Sequence, residues 1–266
     1  MKHKLLFWII LVIASCSDVA RAEAIDPRLE WISPQQLQKR IRTTPLDSTQ
    51  QHVYLLSRAT SSSLSWLSYK EYSALWKKSQ DAGYTNLYRG LSSLNFYNSQ
   101  YSPWGKPTLS HTQLAKIRAD AGVSLLRASV ALPDSDVAQL SHGYFAWQYG
   151  RNMRRGLQIL EQVRQRNPKM PSIHATLGSV YNNRSGNAYN TVRAEQALLE
   201  SVRLDPKYAA PRAQLVFFYS DKDHRNIPKA KQHYKVWLTL LPAHLKNKKS
   251  IRELQKEMNA AMASKR

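Results

Sequence analysis

The sequence predicts an all-α protein, a stack of helical hairpins closed by a basic C-terminal helix, and three observations carry that prediction. From Leu64 onward the apolar residues recur at helical spacing. Four segments end alike, on a small residue, a leucine or tyrosine four later and a proline eight after that: Ala121/Leu125/Pro133, Gly156/Leu160/Pro168, Ala194/Leu198/Pro206 and Ala230/Tyr234/Pro242. Their prolines fall 35, 38 and 36 residues apart, and a fixed period of that size marks stacked two-helix units.

The first 22 residues stand outside this array. Met1–Lys4 carries two lysines and a histidine, and Leu5–Ala14 is an unbroken apolar run of ten. A bilayer span needs ~20 residues, so the basic start, short apolar stretch and following small residues read as a bacterial export signal. Two processing routes are open. Ala20-Arg21-Ala22 is an A-x-A cleavage site leaving Glu23 first, whereas Ile13-Ala14-Ser15-Cys16 resembles a lipobox that would end the signal at Ser15 and lipidate Cys16. Cys16 is the one cysteine of the chain, so the folded part has neither a disulfide nor thiol chemistry.

Residues 23–64 are expected to be irregular: prolines at 27, 34 and 45 and the polar linker Thr60–Ser63 leave room for one short helix over Gln35–Ile41. Residues 65–136 form a helical region. Trp66, Tyr69, Tyr72, Leu75 and Trp76 make one stripe ending near Gly83, and a helix from about Thr85 carries Leu87, Leu91 and Leu94. Asn95–His111, with Pro103, Gly105 and Pro107 among Tyr97, Tyr101 and Trp104, reads as a loop. Gln113–Ala131 is a long helix stopped by Leu132-Pro133. Over 137–242 the hairpins follow closely: Val137–Tyr149 with Asn152–Arg166, Pro171–Asn182 with Thr191–Leu204, and Tyr208–Ser220 with Pro228–Leu241. Pro171 and Pro228 suit first-turn positions, and Pro168, Pro206 and Pro242 follow helix ends. Residues 243–266 supply the basic cap, with a helix over His244–Ala263.

The hairpins resemble tetratricopeptide (TPR) repeats, whose pattern is W-x2-L-G-x2-Y, then A-x3-F-x2-A, then P. Leu177, Gly178 and Tyr181 match the first helix, and Ala194, Leu198, Ser201 and Pro206 the second. The preceding unit has Leu140, Gly143, Tyr144 and Trp147, then Gly156, Leu160, Val163 and Pro168; the following one has Leu215 and Tyr219, then Ala230, Tyr234, Trp237 and Pro242. A degenerate first copy ends in Ala121, Leu125, Ala128 and Pro133. The resemblance covers about residues 85–242. The linkers Asn183–Asn190 and Asp221–Ile227 are longer than the family's, and the first copy carries the 95–111 insertion. The resemblance implies a right-handed α-solenoid with a ligand groove lined by the first helices. Transferred positions are Ala138, Ser141, Phe145, Gln148 and Tyr149; Ser172, Ala175, Ser179, Asn182 and Asn183; and Ala210, Ala213, Phe217 and Ser220. Aromatic anchors and amides in such a groove suit an extended peptide. Ser179 and Phe217 stand where carboxylate-gripping members carry asparagine, so that mode is not expected.

Charge adds a second theme. The chain carries 39 Lys/Arg against 18 Asp/Glu, a net +21. Arg151, Arg154 and Arg155 are one concentration, and Lys246, Lys248, Lys249 and Arg252 another. In an exported protein these residues would meet anionic glycan or lipid before nucleic acid, which is not expected as a partner. The chain has no HExxH, CxxC, GxSxG or phosphate-cradling glycine loop. His142 and His174 make a poor metal pair, and Asp134 and Asp136 suit helix N-termini better than acid–base work. The expectation is therefore a non-enzyme without metal or cofactor, periplasmic or anchored to the outer membrane. It would be an adaptor gripping a protein segment to assist assembly of a pilus, secretion or outer-membrane machine, or alternatively a binder of anionic glycan or lipid surfaces in polysaccharide export or wall maintenance.

Overall fold

A computed structural model describes residues 81–100, 109–150, 152–240 and 249–263. The export signal with Cys16, the 23–64 segment and the Trp66–Trp76 stripe lie outside the described residues, as do Pro242, Lys246 and Lys248.

Among the described residues there are nine α-helices and one 3-10 turn: α1 Ala82–Gln100, α2 His111–Ala131, α3 Asp136–Gln148, α4 Met153–Arg166, α5 Pro171–Tyr181, α6 Thr191–Leu204, α7 Ala209–Ser220, the turn Lys222–His224, α8 Ile227–Leu240 and α9 Lys249–Ala263. They pack as sequential antiparallel pairs, α1 with α2, α3 with α4, α5 with α6 and α7 with α8. Each pair also touches the next through α2–α3, α4–α5 and α6–α7, and α9 lies against α7 and α8.

Two sequence expectations need correction. α1 begins at Ala82 rather than near Thr85, so Gly83, expected near the end of the preceding helix, lies in its first turn. Asn95–Gln100, read as the start of a loop, continues α1. The punctuating residues begin only at Pro103, so nothing local stops the helix earlier. Its extra turn also buries Tyr97, whose ring meets Tyr149 edge-on at 5.6 Å.

The repeated pattern has a packing reason. In the second helices, Ala121, Leu125 and Ala128 of α2, Gly156, Leu160 and Val163 of α4, and Ala194, Leu198 and Ser201 of α6 are all buried. In α8 the same places hold buried Ala230 and Trp237, with Tyr234 half-buried between them. Small residues sit where two helix backbones cross, which lets the ridges interlock at short range. At Gly156 the approach is closest: an added Cβ would lie 2.4 Å from the Trp147 amide nitrogen and 2.7 Å from the Gly143 carbonyl oxygen. Gly178 is likewise filled by Leu198, whose Cγ would lie 2.6 Å from such a Cβ.

The periodic prolines make the turns between pairs. Leu132-Pro133-Asp134-Ser135, Asn167-Pro168-Lys169-Met170 and Asp205-Pro206-Lys207-Tyr208 are each closed by a backbone hydrogen bond from the fourth residue to the first, of 3.1, 3.2 and 3.0 Å. Proline's fixed φ suits the second position of such a turn. The fourth residue is in each case the N-cap of the next first helix.

A further periodic device sits inside the pairs. Asn152, Asn190 and Asn226 stand at the N-termini of α4, α6 and α8, and each side-chain oxygen accepts from the amide three residues on, at 3.0, 2.9 and 3.1 Å. Capping asparagine satisfies one of the otherwise orphaned helix-start donors. The long linkers before α6 and α8 are tied down by backbone bonds from Asn190 to the Tyr181 carbonyl and from Asn226 to the Tyr219 carbonyl, both 2.8 Å. Arg184 then bridges the two linkers, pairing with Asp221 at 2.7 Å and with Asp223. α9 closes the end of the array: Met258 and Met262 join the core, and Arg225 donates to the Met262 carbonyl at 3.2 Å.

Candidate functional site

The first helices α3, α5 and α7 place the transferred groove positions in two groups. The small ones, Ala138, Ser141, Ser172, Ala175, Ala210, Ala213 and Ser220, are buried. Ser179 is buried with them, its hydroxyl 3.2 Å from the Ala175 carbonyl and 2.9 Å from Gln214 Oε1. Ser179 is thus an internal residue that ties α5 to α7.

The larger positions Phe145, Gln148, Tyr149, Asn182, Asn183 and Phe217 are half-exposed. Phe145 seats on Gly122 of α2, where an added Cβ would come within 2.5 Å of its ring, and it lies 5.4 Å from the Tyr149 ring. With Tyr97 and the Arg118 guanidinium, 5.9 Å above the Tyr97 ring, these form an aromatic corner between α1, α2 and α3. Asn182 caps the C-terminus of α5, and Asn183 Oδ1 accepts from the Ser185 amide at 3.0 Å. Phe217 rests against the core from α7.

The sequence pattern did not single out a recurring tyrosine–carboxylate–cation cluster. The Tyr181 hydroxyl donates to Glu161 of α4, and Arg193 of α6 lies 5.7 Å over its ring. One unit later the Tyr219 hydroxyl donates to Glu195 at 2.5 Å, and Lys229 lies 4.9 Å over the ring and 3.1 Å from Glu195. Each cluster joins three helices drawn from two successive pairs, and each cation is the residue whose backbone amide donates to the capping asparagine. Only the place of the cation shows in the sequence, as Asn-x-x-[Arg/Lys]-[Gly/Ala] starting at Asn152, Asn190 and Asn226. Burial first, then the Glu161 carboxylate, pushes the Tyr181 phenol up to about 12. At Glu195 burial alone would raise the carboxyl, but the Tyr219 and Lys229 hydrogen bonds outweigh it and hold it low.

Of the basic residues singled out, Arg154 and Arg155 are exposed in the first turn of α4, and Arg252 is exposed on α9. Lys249 opens α9, its side chain outside the described residues, as is Arg151.

The histidines are engaged separately. His142 Nδ1 is 3.0 Å from the Ser129 hydroxyl, and His174 Nε2 donates to the Pro168 carbonyl at 2.7 Å. Among the described residues no group of three His, Cys, Asp or Glu could hold a metal ion. Asp136 serves structure: Arg166 grips its carboxylate at 2.6 Å and Asn167 at 3.0 Å, fastening the end of α4 to the start of α3. No family model, curated protein or solved structure matches this chain.

Proposed function

We propose that the chain is a non-catalytic, TPR-type adaptor of the bacterial cell envelope. Its helical pairs would continue as a right-handed solenoid. Its first helices would hold a protein segment and so assist assembly of a pilus, secretion or outer-membrane complex. The observation that carries this reading is the half-exposure of Phe145, Gln148, Tyr149, Asn182, Asn183 and Phe217, which lie on successive first helices or just after them. Aromatic rings supply rigid contact area at low entropic cost, and amides can pair a peptide backbone between them. The envelope location is supported by the basic, apolar and small-residue run of Met1–Ala22.

Site-specific photocrosslinking in the native cell tests it. A benzophenone amino acid replacing Gln148 on α3 is expected to give one discrete protein adduct, and the same probe replacing Gln165, exposed on α4, to give none. Equal adducts from both positions, or none from Gln148, overturn the adaptor reading.

A further inference from the structure

At the far end of the array, α8 and α9 carry four exposed bases that no ion pair among the described residues engages. Lys231 and Lys235 are exposed on α8 one helical turn apart, and Arg252 and Lys256 are exposed on α9 with the same spacing. The two helices pack together, and the Tyr234 phenol of α8 lies beside the Asn259 side chain of α9. Lys231 and Lys235 flank Tyr234 on its own helix. Arg252 and Lys256 precede Asn259 by seven and three residues, and therefore share its side of α9.

Ion pairs among the described residues engage Arg89, Arg164, Arg166, Arg184, Arg203 and Lys229, and none of the four bases named above. Helix α8 carries no acid at all. The acids of α9, Glu253 and Glu257, are half-buried, with Glu257 Oε2 fully enclosed. Helix α9 thus turns Arg252 and Lys256 outward while Glu253 and Glu257 are half-buried.

We infer that this face docks on an anionic phospholipid surface. The four cations are spread over two helix backs rather than converging on one anion, which suits a plane of headgroups. A bound sugar or unstacked base would want an exposed aromatic platform. The exposed large apolar side chains of the described residues lie instead on α2 (Val123, Leu126, Val130) and at Tyr189, Val192 and Leu199. The apolar side of α9 is already spent, since Met258 and Met262 are in the core, so attachment is by charge alone and yields to salt.

The test is flotation of the purified full-length chain with vesicles, either of phosphatidylcholine alone or with about a third phosphatidylglycerol, a composition chosen to set the surface charge. Phosphatidylcholine alone reports whatever the Leu5–Ala14 run contributes. The extra binding to anionic vesicles is expected to fall roughly tenfold or more in Lys231→Gln/Lys235→Gln/Arg252→Gln/Lys256→Gln, since each base at a charged surface counts severalfold. It is expected to persist in Lys116→Gln/Arg127→Gln/Lys169→Gln/Lys207→Gln, which removes equal charge from exposed positions elsewhere. Equal loss in both variants, or none in the first, overturns the inference. So does tighter, patch-dependent binding to a sulfated polysaccharide or duplex DNA, which would assign the face to a soluble polyanion.

Discussion

Single residues in this protein are held by backbone proximity as much as by side-chain chemistry. Gly156 illustrates it. The groups an added Cβ would strike, the Trp147 amide and the Gly143 carbonyl, belong to the partner helix backbone and cannot rotate away. Gly156→Ala is expected to destabilise the protein by about 2 kcal/mol, because overpacking a crossing moves backbone rather than a rotamer. Urea unfolding read by circular dichroism checks it, and an unchanged midpoint would mean that α3 and α4 cross less tightly. Helix propensity alone pulls the other way, since alanine is the better helix former by ~1 kcal/mol. The sign of the change therefore separates packing from propensity. Ser201 is a second case of local dictation: fully buried, its hydroxyl donates to the Pro171 carbonyl at 2.8 Å and so fills the small position of α6 while fastening the start of α5.

At the scale of elements, the second helices share one design: an asparagine cap, a cation in the first turn, a small residue at the crossing and a larger one a turn later. The cap has a cost when lost. Asn190→Ala should lower stability by ~1 kcal/mol, whereas Asn190→Asp, also a good cap, should retain most of it. Denaturation curves of the two variants side by side check this, and equal losses in both would show that the amide's contribution lies elsewhere. From α2 to α8 the helix boundaries expected from the pattern agree with the observed ones within a residue or two. The exception is α1, which starts three residues before the expected Thr85, where the Asp81 carboxylate accepts from the Tyr84 amide, and runs past its expected end because neither cap nor proline is present before Pro103.

For the whole molecule, histidines buried within or between pairs link stability to acid. His142, His174, His224 and His233 all have pKa values lowered chiefly by burial, His233 to about 4 with help from Arg212 and Lys229. The unfolded chain takes up these protons near 6.5. Between that pH and about 4 it binds more protons than the folded state, so stability falls as pH falls. The lowered carboxyls of Glu195 and Glu200 extend the loss below that window. Asp205 and Glu257, raised by burial, oppose it at the acidic end. Melting temperature is expected to drop from pH 7 to 4.5, and less steeply for His233→Gln. A slope unchanged by that substitution would mean His233 can be protonated in the folded protein.

Residue spacing by itself determined that this is an all-helical array, where the helices from α2 to α8 begin and end, and which small residues recur at the crossings. Those features are local: a proline, a cap and an apolar stripe act within one or two turns of chain, and their period shows in sequence. Tertiary structure alone decided which surface is left over. From the pattern, Ser179 and Phe145 were equivalent groove positions, yet Ser179 is enclosed by its bond to Gln214 and Phe145 is shared with Gly122 of another pair. The hydrogen bonds of the tyrosine–carboxylate–cation clusters depend in the same way on partners 20 to 34 residues away, and the exposure of Arg252 and Lys256 on α9 depends on its packing against α7 and α8. No spacing rule within one helix encodes them, because side-chain exposure is set by what packs across from it.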